Sequence, residues 1–126
     1  MRRAQACQVA LRMLAEMESS PGVGELPDHI YKRMQEVAEK EGLASNFMGY
    51  GEGKVSFVGH GLGLEINEWP ILSKGKKRPL QSGMVFAFEP KFVFPNEGAI
   101  GIEVDFTVRE QGLERVTESP KDVVYL

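Results

Sequence analysis

The sequence predicts an α+β fold in which two N-terminal helices pack on a mainly antiparallel sheet. Apolar residues recur at helical spacing only in the first third of the chain. Short runs of β-branched and aromatic residues, separated by glycine-rich turns, fill the remainder. Because 126 residues are the size of one domain, we expect a single unit over residues 1–126 that is helical over 1–42 and strand-rich over 43–126.

Two helices are predicted before residue 42. The first covers Ala4 to Met17, where the apolar side chains form one stripe, and the turn residues of 19–24 end it. The second runs from about Pro27 to Glu41. Proline is favoured in the first turn of a helix, Asp28 suits its positive end, and Gly42 is the expected C-terminal cap.

Five strands are predicted after residue 42. They are Val55–Val58, Met84–Phe88, Phe92–Phe94, Ile100–Val108 and Val123–Tyr125. Their connections are predicted to be a loop at Gly49–Gly53, irregular backbone at Gly59–Gly63, a solvated basic loop at Lys74–Pro79 and a turn at Phe94–Gly98. Two helices followed by antiparallel strands indicate one helical layer on one sheet.

Composition restricts the partners. The 15 basic and 18 acidic residues are interspersed and give a net charge of −3, which argues against general binding of nucleic acid or of an anionic membrane surface. The apolar stretches are too short to cross a bilayer. Cys7 is the single cysteine and has no partner for an internal disulfide, which is typical of a reducing compartment. We therefore expect a cytoplasmic protein.

Three residues are candidates for metal binding. His60 lies between glycines in an apolar context, whereas His29 follows Asp28 at a polar helix start and is expected at the surface. Glu89 and Glu103 lie within apolar runs, and a buried carboxylate is costly unless it is paired or binds a metal. Two interpretations remain open on spacing alone: two solvated positions on a half-exposed sheet, or a His–Glu–Glu set for a hard divalent ion.

Several motifs resemble those of one family, the creatinase, Xaa-Pro peptidase and methionine aminopeptidase family. GHGLGLEINEWP at 59–70 resembles the GHGIGLEVHE-P stretch of that family, and GMVFAFEP at 83–90 resembles its GMVF-x-x-EP strand. Residues 98–108 resemble its G-x-RIED-TV segment, residues 113–121 its closing E-x-LT-x-x-PK, and SPGV at 20–23 its PG turn. The resemblance covers nearly the whole chain and is nearest to the Xaa-Pro dipeptidase and aminopeptidase P branch.

The resemblance implies a "pita-bread" fold of two pseudo-symmetric halves that hold two divalent metal ions between them. Five ligands are implied, two aspartates from the first half and, by motif position, His60, Glu89 and Glu103 from the second. Manganese, cobalt, zinc and iron all suit such ligands. The metals would activate a bridging water, and the implied substrate is a peptide with proline after the cleaved bond.

The sequence departs from the family pattern in two ways. The upstream aspartate pair has no counterpart, because Asp28 lies at a helix start and Asp105 and Asp122 follow the ligand motifs. The chain therefore resembles the second half of the catalytic domain, either excised or truncated, whose partner would be the missing N-terminal half. We expect such a chain to hold no metal or one weakly bound ion and to be inactive alone.

The second departure concerns groups around the ligands. Ser56 and Asn67 occupy positions that usually hold histidines with proton-transfer or substrate-positioning roles, and Gly101 occupies that of an arginine. Asparagine forms hydrogen bonds but does not transfer protons near neutral pH. Asn67 is thus a doubtful catalytic residue and Ser56 a doubtful substrate-binding residue.

Two functions therefore stay open: part of an Xaa-Pro metallopeptidase, or a non-catalytic relative that binds a peptide or protein. A structural domain with merely solvated glutamates is a third interpretation. We also expect a homodimer, because cutting away the other half should expose sheet edges and partly uncover four phenylalanines. These are Phe86, Phe88, Phe92 and Phe94.

Overall fold

The computed structural model describes residues 2–120 and 122–126. Two helices come first, α1 (Arg2–Glu18) and α2 (Pro27–Lys40), followed by short 3-10 turns at Ala44–Asn46 and Gly51–Gly53. Seven strands follow. They are β1 (Phe57–Gly61), β2 (Glu68–Ser73), β3 (Val85–Phe88), β4 (Lys91–Phe94), β5 (Gly98–Gly101), β6 (Val104–Arg109) and β7 (Gly112–Arg115). Lys121, in the closing motif, lies outside the described residues.

Both predicted helices are present, and the end of α2 shows the expected glycine cap. Gly42 has a φ of 69°, a left-handed conformation that glycine adopts without steric cost. Its amide donates to the carbonyl of Glu39 at 3.0 Å, and the amide of Leu43 donates to that of Ala38 at 2.8 Å. This pair of hydrogen bonds is the Schellman motif. Neither helix of the described chain is long and apolar enough to cross a membrane.

The strands form two antiparallel units. The larger is a five-stranded sheet in the order β2-β1-β3-β6-β7, and the smaller is a ribbon of β4 and β5. The fold is therefore two helices packed on a mainly antiparallel sheet, as the sequence predicts. The central position of β3, between β1 and β6, determines where the candidate ligands meet.

One apolar core joins the helices to the strands. The prediction that four phenylalanines are partly uncovered is wrong: Phe86, Phe88 and Phe92 are fully buried and Phe94 is 4% exposed. Phe92 packs against Phe47, with 5.6 Å between ring centroids. These aromatic side chains belong to the core formed with the two helices, so they provide no apolar surface for another protein.

The prediction of irregular backbone at Gly59–Gly63 is confirmed only in part. Gly59, His60 and Gly61 lie in strand β1, between β2 and β3, but the pairing of β1 with β2 shifts register on both sides of His60. The glycines are needed there for space: a Cβ on Gly59 would lie 2.5 Å from the carbonyl oxygen of Ala87, and one on Gly61 would overlap the carbonyl oxygen of Trp69.

Other strand boundaries differ from the prediction. The first strand begins at Phe57 instead of Val55, and the long strand predicted over Ile100–Val108 is interrupted at residues 102 and 103, between β5 and β6. Val123–Tyr125 forms no strand and is exposed. Strands β2 and β7, the two outer strands of the sheet, are not among the predicted strands. Pro70 lies within β2, which an edge strand tolerates because its outer side needs no amide donor.

Candidate metal centre

The register of three adjacent strands brings the candidate ligands together. His60 on β1 pairs with Ala87 on β3, and Phe88 at the end of β3 pairs with Val104 at the start of β6. Glu89 follows Phe88 and Glu103 precedes Val104, so the two glutamates lie opposite each other one step beyond the β3–β6 ladder. They extend neighbouring strands rather than lying within them.

The three side chains converge. One nitrogen of His60 and one carboxylate oxygen each of Glu89 and Glu103 all lie within 4.8 Å of one another. The distance between Nε2 of His60 and Oε1 of Glu89 is 3.9 Å. His60 is 9% exposed and Glu89 is half-buried, whereas Glu103 is exposed. The cluster therefore lies at the surface of the sheet with its histidine buried.

A hydrogen bond orients the imidazole of His60. Its Nδ1 lies 3.0 Å from the carbonyl oxygen of Gly61. A carbonyl oxygen can only accept, so Nδ1 carries the proton and Nε2 of the neutral ring keeps its lone pair. Nε2 is the nitrogen nearest to Glu89. A backbone carbonyl on the second ring nitrogen is the usual arrangement for a metal-binding histidine.

The donor set fits a divalent metal ion. One imidazole nitrogen and two carboxylate oxygens suit manganese, iron, cobalt or zinc. Ligand bonds of about 2.0–2.2 Å place two ligands of one ion up to roughly 4.3 Å apart. The distance of 3.9 Å between Nε2 of His60 and Oε1 of Glu89 is within that range. The ligand atoms of the cluster are at most 4.8 Å apart, so a small side-chain rotation brings all three within reach of one ion. A cation here would also relieve the repulsion between the two carboxylates.

A shallow groove leads away from the two glutamates. It has a volume of about 300 Å³ and is bounded by the β4–β5 ribbon. Its lining residues are Glu89, Lys91, Ala99, Gly101, Ile102 and Glu103. The position of Lys91 in this groove depends on the pairing of β4 with β5, which no local sequence pattern reveals.

The two doubtful residues lie in flanking segments. Ser56 directly precedes β1 and is exposed, and its carbonyl oxygen accepts a hydrogen bond from Oγ of Ser73 at 2.7 Å. Asn67 is also exposed and ends the loop between β1 and β2. The roles of both residues stay predictions. His29 is exposed on α2, as expected.

Sequence relatives are peptidases. The chain is 37% identical over 76 residues to the Xaa-Pro dipeptidase of Pyrococcus furiosus, an alignment that covers 60% of this chain and 22% of that protein. It is 38% identical over 78 residues to a putative dipeptidase of Bacillus subtilis, covering 62% of this chain and 22% of that protein. The chain thus aligns with about a fifth of the length of these curated relatives.

Solved structures share the fold. The Xaa-Pro dipeptidase from Bacillus anthracis matches with a TM-score of 0.85 and 26% identity, over 98% of this chain and 33% of that one. The prolidase from Pyrococcus furiosus matches with a TM-score of 0.84 and 25% identity, over 95% of this chain and 34% of that one. Residues 2–110 match the profile of metallopeptidase family M24. The chain therefore belongs to metallopeptidase family M24 and corresponds to one part of its pita-bread fold.

Proposed function

We propose that this chain provides the second half of the catalytic domain of a peptidase that hydrolyses Xaa-Pro dipeptides or N-terminal Xaa-Pro bonds. In this proposal His60, Glu89 and Glu103 contribute three of five ligands to a pair of divalent metal ions. The observation that carries it is the convergence of these three side chains within 4.8 Å in a chain of family M24.

Each of the three residues has a defined task in this proposal. His60 presents the lone pair of Nε2, because the carbonyl of Gly61 holds its other nitrogen. Glu89 and Glu103 supply negative charge from adjacent positions of two strands, and two strands of a packed sheet hold those positions more firmly than a loop would. When bound, the metal ions would activate a water and polarise the scissile carbonyl.

The rest of the centre would come from the other half of the domain. Relatives named Xaa-Pro dipeptidase or prolidase are three to five times longer than the segment this chain matches. We propose that their first half has a counterpart that supplies two aspartates and closes the substrate site. The Xaa-Pro specificity of this chain is inferred from those relatives.

Metal titration tests the ligand set. We expect Mn²⁺ or Co²⁺ to bind the purified chain weakly, and His60→Ala, Glu89→Gln or Glu103→Gln to abolish that binding. Glu97→Gln, in the exposed turn between β4 and β5, is the matched control and should bind like the unchanged chain. Equal binding by all variants would show that the ions bind elsewhere, and the ligand assignment would be abandoned.

A non-catalytic binding protein is the second candidate. It is favoured by Ser56 and Asn67, which replace the histidines that the family pattern leads us to expect and which are both exposed. Chelator-sensitive hydrolysis of Gly-Pro by the complete catalytic domain would favour the enzyme. Tight metal binding without hydrolysis would favour the binding protein.

We also propose a cytoplasmic location, because the single Cys7 has no partner for an internal disulfide, which is typical of a reducing compartment. The expected partners are a proline-containing peptide, the first half of the domain and a second copy of the chain. Nucleic acid and membranes are not among them.

A further inference from the structure

The basic loop (Lys74–Pro79), which follows β2, concentrates positive charge on one small part of the surface. Lys74, Lys76, Lys77 and Arg78 lie within five residues, and all four are exposed. No aspartate or glutamate occurs between residues 69 and 88. In a chain whose net charge is −3, this loop is therefore a local surface that attracts anions.

The start of α2 holds the backbone of the basic loop in place. The amide of Gly75 donates to Oδ1 of Asp28 at 2.6 Å, and the amide of Asp28 donates to the carbonyl oxygen of Lys76 at 2.9 Å. Asp28 is 2% exposed, so these contacts are largely shielded from water. The loop therefore presents its side chains from an ordered backbone, which lowers the cost of ordering it when a partner binds.

Carboxylates at the start of α2 do not neutralise the loop. Nζ of Lys32 lies 2.8 Å from Oδ2 of Asp28, and a guanidinium nitrogen of Arg33 lies 2.7 Å from Oε1 of Glu25. These two acidic side chains are only 3% and 7% exposed. None of the ion pairs in the described part of the chain includes a side chain of the basic loop. Its cations are therefore available to an anion from outside.

The surroundings of Arg78 favour a peptide over nucleic acid as that anion. Cζ of Arg78 lies over the ring of Trp69, 5.4 Å from its centroid. This contact covers an aromatic face on which a nucleobase would otherwise stack, and the negative net charge of the chain repels a long polyanion. Five residues span at most about 17 Å, so the four cations match a short, extended run of carboxylates.

We infer that the basic loop binds an acidic, extended segment of a partner protein. The three ammonium groups and the guanidinium of Arg78 pair with the glutamate or aspartate side chains of that segment. The loop is hydrogen-bonded to α2, whereas the candidate metal ligands lie on or directly beside β1, β3 and β6. The interaction is thus independent of the proposed hydrolysis.

Fluorescence of Trp69 tests this inference, because it is the single tryptophan of the chain and Arg78 lies over it. The probes are hexaglutamate with blocked ends, hexaglutamine with blocked ends and decathymidylate, each titrated into the whole chain. Backbone amide signals of residues 74–78 give a second measurement. We expect a saturable response to hexaglutamate only, and weaker binding at 200 mM than at 50 mM NaCl, since salt screens exposed charges.

Two double variants separate the loop from the overall charge. Lys76→Gln/Lys77→Gln should weaken hexaglutamate binding about fivefold, the range of two exposed ion pairs. Arg3→Gln/Lys40→Gln removes the same charge from exposed positions on α1 and α2. This matched control should bind hexaglutamate like the unchanged chain.

Three results would overturn the inference. Equal weakening by the two double variants would show that overall charge attracts the peptide. Absence of a saturable response to hexaglutamate, in both the fluorescence and the amide signals, would show that the loop does not bind acidic segments. Tighter binding of decathymidylate than of hexaglutamate would identify single-stranded nucleic acid as the partner in place of an acidic protein.

Discussion

Nε2 of His60 lies 3.9 Å from Oε1 of Glu89, although 28 residues separate the two in sequence. Pairing of β1 with β3 produces this proximity, and the carbonyl of Gly61 directs the histidine's free nitrogen towards the glutamate. The fold itself therefore brings two of the candidate ligands close together, which would lower the cost of organising a metal site.

The first prediction concerns the relative importance of these ligands. His60→Ala should reduce Mn²⁺ affinity by more than about tenfold. Mutation of a group that only hydrogen-bonds to a metal ligand already lowers metal affinity by about 10–100-fold, and His60 is a candidate ligand itself. His60→Gln, which retains a polar group, should recover little of that affinity, because an amide lacks the imidazole lone pair. Calorimetric titration measures both. Equal affinity of His60→Ala and the unchanged chain would contradict the assignment.

The second prediction is that the 126-residue chain alone does not hydrolyse Xaa-Pro dipeptides. Water activation by a metal pair requires ligands on both sides of the two ions, and the structure brings together one histidine and two glutamates. The assay follows release of proline from Gly-Pro with Mn²⁺ or Co²⁺ present. Turnover that disappears with a chelator and with Glu103→Gln would contradict this prediction.

The third prediction concerns the glycine that precedes the loop after β1. Gly61→Ala should lower the free energy of unfolding by about 1–3 kcal/mol, the usual cost of overpacking, because the new Cβ would overlap the carbonyl oxygen of Trp69. Gly53→Ala is the control. Nothing lies within 4 Å of a Cβ there and its φ is not positive, so its effect should stay within about 0.5 kcal/mol. Urea denaturation compares the two, and similar losses would contradict the packing argument.

The fourth prediction links α2 to the basic loop. Oδ1 of Asp28 accepts a hydrogen bond from the amide of Gly75 at 2.6 Å, and Oδ2 lies 2.8 Å from Nζ of Lys32. The Gly75 amide first, and then Lys32, hold the pKa of Asp28 below its usual value of 3.8. A lowered pKa in the folded state means that the stabilisation is present above pH 3.8 and is lost as pH falls through the folded-state pKa.

Asp28→Asn should therefore be less stable than the unchanged chain at pH 7, and the difference should narrow below pH 4. Urea midpoints measured between pH 7 and pH 2.5 test this. Asp122→Asn, at an exposed position near the C-terminus, is the control, and its stability should match that of the unchanged chain at every pH. A constant difference across the whole range would show that the Asp28 carboxylate charge does not stabilise the fold.

Sequence patterns predicted the elements whose signals are local. Helix α2 was delimited by Pro27 and Gly42, and the turn at Phe94–Gly98 by its proline, asparagine and glycine. Glycine permits irregular backbone and also permits close strand approach, so the glycines of β1 alone do not distinguish a loop from a strand. Only the pairing with Ala87 and Trp69 decides between the two.

In the candidate site, too, local patterns identify residues, whereas their arrangement depends on strand pairing. His60, Glu89 and Glu103 were identified from residue type and motif, but their convergence depends on the register of β1, β3 and β6. Lys91 carried no local signal at all. The burial of Asp28, which is 2% exposed, was missed because its partner Gly75 is 47 residues away.

The last prediction is self-association. The four phenylalanines are buried and do not support self-association, but two other features do. Strands β2 and β7 are the open edges of the sheet in the described chain. Leu64 and Ile66, in the loop next to β2, are 102% and 81% exposed. Open edges and neighbouring apolar side chains favour pairing with a second strand, and a second copy would bury the same surface on both chains.

We therefore expect a homodimer whose dissociation constant rises when both loop residues are changed to serine. Light scattering over a range of concentrations measures the constant for the unchanged chain and for Leu64→Ser/Ile66→Ser. Tyr125→Ser removes a similarly exposed apolar group, 87% exposed, from the C-terminal segment and is the control. A monomer at every concentration would refute self-association. An unchanged dissociation constant for Leu64→Ser/Ile66→Ser would place the contact away from the β2 edge.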